Sequence, residues 1–110
     1  MDLLYVGKIK KSKNAPSVIE AMRILKNDFN IDAKATFIGK VVDQDIYDEL
    51  KAVQDVPVKL LEPADKETLL DLYRNNDIFI MPSYTETFGL VYPEAMSQGL
   101  PVIYSEDAGL

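Results

Sequence analysis

Apolar and polar positions along this chain alternate between two periods. Short, nearly unbroken apolar runs occur at Leu3-Leu4-Tyr5-Val6, toward the end of Asp32 to Gly39, around Val56 to Leu61, at Ile78 to Met81 and at Val102 to Tyr104. Runs of that length without a polar partner predict strands buried on both faces. Between them the spacing changes. Val18, Met22, Leu25 and Phe29 recur at helical intervals, predicting an amphipathic helix from Pro16 to Phe29 with proline in its first turn. Asp43 to Gln54 predicts a second helix, with Asp43 as N-cap and Ile46, Leu50 and Val53 inward. Asp65 caps a third, running to Asn75 with Leu69, Leu72 and Tyr73 on its inner face. A short fourth helix is predicted from Phe88 to Gln98. Strands alternating with helices predict βαβ units, and so an α/β fold with a parallel sheet and right-handed crossovers.

Composition narrows the chemistry. The 110 residues are enough for one domain, and the apolar fraction of 47% suits an ordered core. Eighteen acidic against twelve basic residues give a net charge of −6, which argues against nonspecific nucleic-acid binding. There is neither cysteine nor histidine. A disulfide framework, a Cys/His zinc site and a histidine general base are therefore excluded within this sequence. Carboxylates, lysines and backbone amides must carry any catalysis. No apolar run approaches the ~20 residues that span a bilayer, and Met1 to Gly7 lacks the basic flank of a signal peptide. The expected location is cytoplasmic.

The stretch from Met81 to Ser105 holds the densest chemistry. Pro82 leaves a strand, Glu86 sits in a loop, and the turn at Phe88-Gly89 opens a helix whose first amides make an anion site. Glu94 follows within that helix. Alone, two glutamates at this spacing suit a solvated loop and a helix dipole equally well. A second basic stretch, Lys8-Ile9-Lys10-Lys11-Ser12-Lys13-Asn14, follows the first strand. It reads as a solvated loop or as a phosphate-facing one.

Taken whole, E-T-F-G-L-V-Y-P-E followed by E-A-M-S-Q-G-L-P-V-I resembles the E-x7-E signature of retaining family-4 (group 1) glycosyltransferases. The G-K-I after the first strand, with Lys13 five residues later, is similar to the opening of the same domain. The resemblance implies a Rossmann-like parallel sheet with helices on both faces, the C-terminal donor-binding half of a GT-B enzyme. It implies that Lys8, Lys13 and the backbone around Phe88, Gly89 and Leu90 meet the diphosphate of a nucleotide sugar. Glu86, the catalytic candidate, would contact the donor sugar, and Glu94 the ribose. Three departures accompany the match. Lys8 stands where arginine is usual, Asn14 where glycine is common, and the loop Gly39-Lys40-Val41-Val42 lacks a second glycine, so no nucleotide contact is carried over to it.

The implied function is transfer of a sugar from a nucleotide-diphosphate sugar to an acceptor, with retention of configuration. No cofactor or metal is expected, because lysines stand where a cation would otherwise neutralise phosphate. The implied partners are the donor and an acceptor glycan or glycolipid bound through an N-terminal domain, with peripheral membrane association of the full enzyme and a place in polysaccharide biosynthesis. Residues 1–110 are expected to be an incomplete donor-binding domain, lacking C-terminal elements and the acceptor domain, and inactive alone. Two other readings stand beside it: a nucleotide-binding Rossmann-like module without catalysis, and a sugar-nucleotide epimerase, against which the E-x7-E block speaks. A glycosidase pair is not implied, since hydrolysis needs an acid, a base or nucleophile and a positioned water.

Overall fold

The computed structural model describes residues 1–81 and 102–104. Five strands, β1 (Asp2–Val6), β2 (Lys34–Ile38), β3 (Val58–Leu61), β4 (Ile78–Met81) and β5 (Val102–Tyr104), alternate with three helices, α1 (Pro16–Phe29), α2 (Gln44–Lys51) and α3 (Lys66–Asn75). The predicted helix at 88–98 lies outside the described residues.

All the strand pairs are parallel and the order is β3-β2-β1-β4-β5. The chain walks outward from β1 through β2 to β3, then returns to the other side of β1. Right-handed crossovers require the connecting helix to change faces when the walk reverses. The packing obeys this. Leu3, Tyr5, Ala35 and Phe37 point to one face and pack with Val18, Ile19 and Met22 of α1 and Leu50 of α2. Leu4, Val6, Ile38 and Phe79 point to the other face, with Tyr73 of α3. The predicted two-faced α/β sheet is what forms. Leu4 is fully buried at its centre.

The helix ends show local chemistry at work. The Asp65 side chain accepts the Thr68 N–H at 2.8 Å, capping α3 as its position predicts. That bond holds the Asp65 carboxyl below the ordinary aspartate range. α1 ends at Asn30, which takes the left-handed conformation (φ 55°) and donates its N–H to the Leu25 carbonyl.

Three expectations need correction. Phe29 is not in the core; it is 64% exposed, and Ile19 fills the buried stripe instead. Fourteen helical residues span about 21 Å, whereas a five-residue strand spans about 17 Å. The last turn of α1 therefore overhangs the sheet. Asp43 precedes α2 but makes no side-chain cap bond to it; its carboxylate is used elsewhere. α2 also stops at Lys51, three residues before the predicted end.

Candidate functional site

In an open parallel sheet, ligand sites form beyond the carboxyl ends of the strands, where neighbouring connections diverge. Here that point lies between β1 and β4. The β1 side of it is fully described.

β1 ends at Val6, and the chain continues through Gly7 into the lysine-rich loop. Gly7 donates its N–H to the Ile38 carbonyl at 3.0 Å, prolonging the β1–β2 ladder by one residue. Gly39 is required next to it. A Cβ at Gly39 would lie 1.8 Å from the Gly7 carbonyl oxygen, so only glycine lets these two backbones approach. Lys8 follows, exposed. Its carbonyl accepts a 2.8 Å hydrogen bond from the Tyr5 hydroxyl. Tyr5 is 2% exposed and its ring leans on Phe37 at 5.4 Å. Burial pushes its phenol well above the ordinary tyrosine range, so it stays a donor at neutral pH.

Lys11 to Lys13 form one 3-10 turn that closes on Asn14. Asn14 adopts the left-handed conformation (φ 54°, ψ 36°), for which asparagine is among the best non-glycine residues. The departure from glycine at this position thus leaves the turn intact. The Asn14 carbonyl then accepts both the N–H and the hydroxyl of Ser17, leading into α1. Lys13 is half-buried at the end of the turn. Among the described residues, none of Lys8, Lys10, Lys11, Lys13 and Lys40 forms an ion pair. Five cationic heads without a counter-ion, at one edge of an acidic protein, leave that edge ready for an anion.

The loop after β2 lies alongside. Ile9 donates its N–H to Lys40 O, and its carbonyl accepts from both Val42 and Asp43. A cavity of about 450 Å³ opens beneath this junction, lined by Ile9, Gly39, Lys40, Val41, Tyr47 and Glu62 among others. A larger cleft, of about 540 Å³, runs between α1 and α2. Within its lining, Arg23 binds both Glu20 and Asp55. Among the described residues, neither of these two cavities is lined by Lys8 or Lys13.

Of the predicted site residues, the structure places Lys8 and Lys13 in one loop at the carboxyl end of β1. Glu86, Phe88, Gly89, Leu90 and Glu94 lie outside the described residues. Tyr5 and Asp43 were missed as contributors. Nothing in an apolar run reveals where a tyrosine hydroxyl will bond, and Asp43 had the spacing of a cap. The expectation of a metal-free site also passed over Asp43-Gln44-Asp45, an acid-x-acid triplet. Asp43 there accepts the Lys11 N–H at 2.8 Å. Among the described residues, no group of three or more potential ligands is placed to hold a metal ion.

Residues 2–110 match the family described as Glycosyl transferases group 1. The chain belongs to that family. It is similar to a D-inositol 3-phosphate glycosyltransferase of Pseudarthrobacter chlorophenolicus, 31% identical over 113 residues; the match covers 98% of this chain and 27% of the relative's length. Among solved structures, it resembles the catalytic domain of the cholesterol-alpha-glucosyltransferase of Helicobacter pylori (TM-score 0.81, 19% identity), over 96% of this chain and 65% of that one. It also resembles the E. coli protein solved as trehalose-6-phosphate bound with UDP-2-fluoro glucose (TM-score 0.77, 20% identity), over 98% of this chain and 30% of that one. At these identities the structural likeness carries the fold, the Rossmann-like α/β half found in GT-B glycosyltransferases. The glycosyl transferases group 1 assignment rests on the sequence match.

Proposed function

We propose that this chain is the donor-binding part of a retaining, family-4 glycosyltransferase that uses a nucleotide-diphosphate sugar. The observation that carries the reading is the lysine loop at the carboxyl end of β1, held in a fixed turn with no ion pair among the described residues. Family membership supplies the reaction class. In the reaction, the bond from the anomeric carbon to a diphosphate oxygen breaks. The acceptor's hydroxyl oxygen bonds to that carbon and gives its proton to the departing diphosphate oxygen, which has taken the electron pair of the broken bond. Negative charge gathers on the leaving diphosphate, where Lys8, Lys13 and the amides around Phe88, Gly89 and Leu90 offset it without a metal. Glu86 acts at the donor sugar and Glu94 at the ribose. The acceptor is a glycan or glycolipid met by a further domain, on an enzyme that works in the cytoplasm and touches the membrane peripherally.

The kinetics of two variants test the roles. Glu86→Gln should lower turnover far more than nucleotide binding, the pattern of a group acting mainly in the transition state. Glu94→Gln should weaken donor and nucleoside-diphosphate binding by roughly 1–3 kcal/mol. Normal turnover in Glu86→Gln, or two variants altered only in melting temperature, would remove the site. Binding without any transfer, in the presence of an acceptor-binding domain, would favour a non-catalytic nucleotide module.

A further inference from the structure

The lysine loop is held from the side by the chain after β2, and Asp43 holds it at two points. Asp43 donates its backbone N–H to the Ile9 carbonyl at 3.0 Å, while its carboxylate accepts the Lys11 N–H at 2.8 Å. The two contacts take hold of the loop at positions two residues apart. From Lys11 the order passes onward: its carbonyl accepts the Asn14 N–H, and Lys13 N–H reaches the Lys10 carbonyl. A helix N-cap would have spent that carboxylate on α2, yet it makes no cap bond there. The position also opposes simple electrostatics. A carboxylate beside a loop that binds phosphate repels the ligand, so its presence calls for a mechanical reason.

We infer that Asp43 is a positioning residue for the diphosphate-binding loop, acting through the Lys11 amide to fix the turn that presents Lys13. This rests on the reading of that loop as the phosphate site. Geometry and charge make opposite demands on a variant, which is what renders the idea testable. Asp43→Asn keeps an oxygen acceptor and loses the charge. Asp43→Ala loses both.

The test uses this chain, inorganic pyrophosphate as the probe common to every nucleotide base, calorimetry for affinity, and amide hydrogen exchange on the same variants. Asp43→Ala is expected to bind pyrophosphate about fivefold to tenfold more weakly, the scale of one lost hydrogen bond. Lys11, Lys13 and Asn14 amides should exchange faster while those of β1 and α1 do not change. Asp43→Asn should restore both affinity and protection. Tighter binding by both variants would mean that Asp43 acts only by its charge, and would overturn the inference. So would unchanged loop exchange in Asp43→Ala. If Lys13→Ala weakens pyrophosphate binding but Asp43→Ala does not, the inference alone fails. If the unaltered chain binds no pyrophosphate, or Lys13→Ala binds it equally well, the phosphate-site reading fails and takes the inference with it.

Discussion

The two ends of the sheet treat their polar groups in opposite ways. At the amino ends of the strands they satisfy one another. Arg23 forks onto Asp55 at 2.8 and 3.2 Å and also reaches Glu20, and Lys26 donates to the Asp55 carbonyl. Asp2 and Asp77 exchange hydrogen bonds across β1 and the start of β4. At the carboxyl ends the backbone is just as firmly held, but among the described residues the lysine heads form no ion pair, and Val41 and Val42 stay exposed. At one end the named charges are sealed off in pairs; the other keeps fixed geometry and spare bonding capacity. Net charge conceals this. A protein at −6 still gathers Lys8, Lys10, Lys11 and Lys13 in one loop, with the Asp43 carboxylate bound to that loop's backbone. Binding function follows from where charge is left unspent, not from its total.

Substitutions at the two ends should separate these roles. The largest effect is expected for Gly39→Ala, where the new Cβ meets the Gly7 backbone and nothing flexible can give way. A loss of about 2–4 kcal/mol of stability is the scale for such a clash, together with loss of pyrophosphate binding; denaturant unfolding measures the first. Near-native stability would mean that the two loops can part without cost. Next, Lys13→Ala should cost about 1.5–3 kcal/mol in diphosphate affinity, the more so at low salt, with little change in melting temperature. Lys26→Ala, at the sealed end, removes the same charge and should leave affinity alone. Equal weakening by both would reduce the contrast to net charge. The smallest effect is expected from acid. The Arg23 guanidinium, above all through its hydrogen bond, holds the Asp55 carboxyl below its ordinary value. A depressed folded value means stability that is present above the unfolded pKa of about 3.9 and is lost as pH falls through the folded one. Asp55→Asn should therefore flatten part of the acid decline in melting temperature and leave pyrophosphate binding at neutral pH untouched.

The framework was legible because it rests on periodicity. Apolar runs too short for helices fix β1 and β4, and the change of spacing marks α1 and α3, including the Asp65 cap. Phe29 escaped because the period alone cannot tell that a helix is longer than the strands beneath it. Asp43 escaped for a related reason: a cap and a lateral grip use the same residue at the same spacing, and the choice depends on a loop more than thirty positions earlier. For the site, Lys8 and Lys13 were readable from the family pattern, and the structure puts both in one loop. That Asn14 would serve where glycine is common needed the φ angle. The Tyr5 hydroxyl bond depends on how the chain folds back after Gly7, which no local pattern encodes.

The return of the chain to β4 has a consequence for the order of assembly. The bond from Met1 to Asp32, at the β1–β2 boundary, closes a separation of 31 residues, whereas that from Asp2 to Asp77 closes one of 75. Loop-closure entropy rises only slowly with length, by about 0.6 kcal/mol for each doubling. The β1–β2–β3 half can nevertheless gather with α1 and α2 first, after which β4 adds Ile78 and Ile80 to their cluster. The seam between β1 and β4 then knits after the one between β1 and β2. A nascent chain would thus form the lysine loop and its Ile9–Val41 bridge before the sheet extends past β1 to β4 and β5.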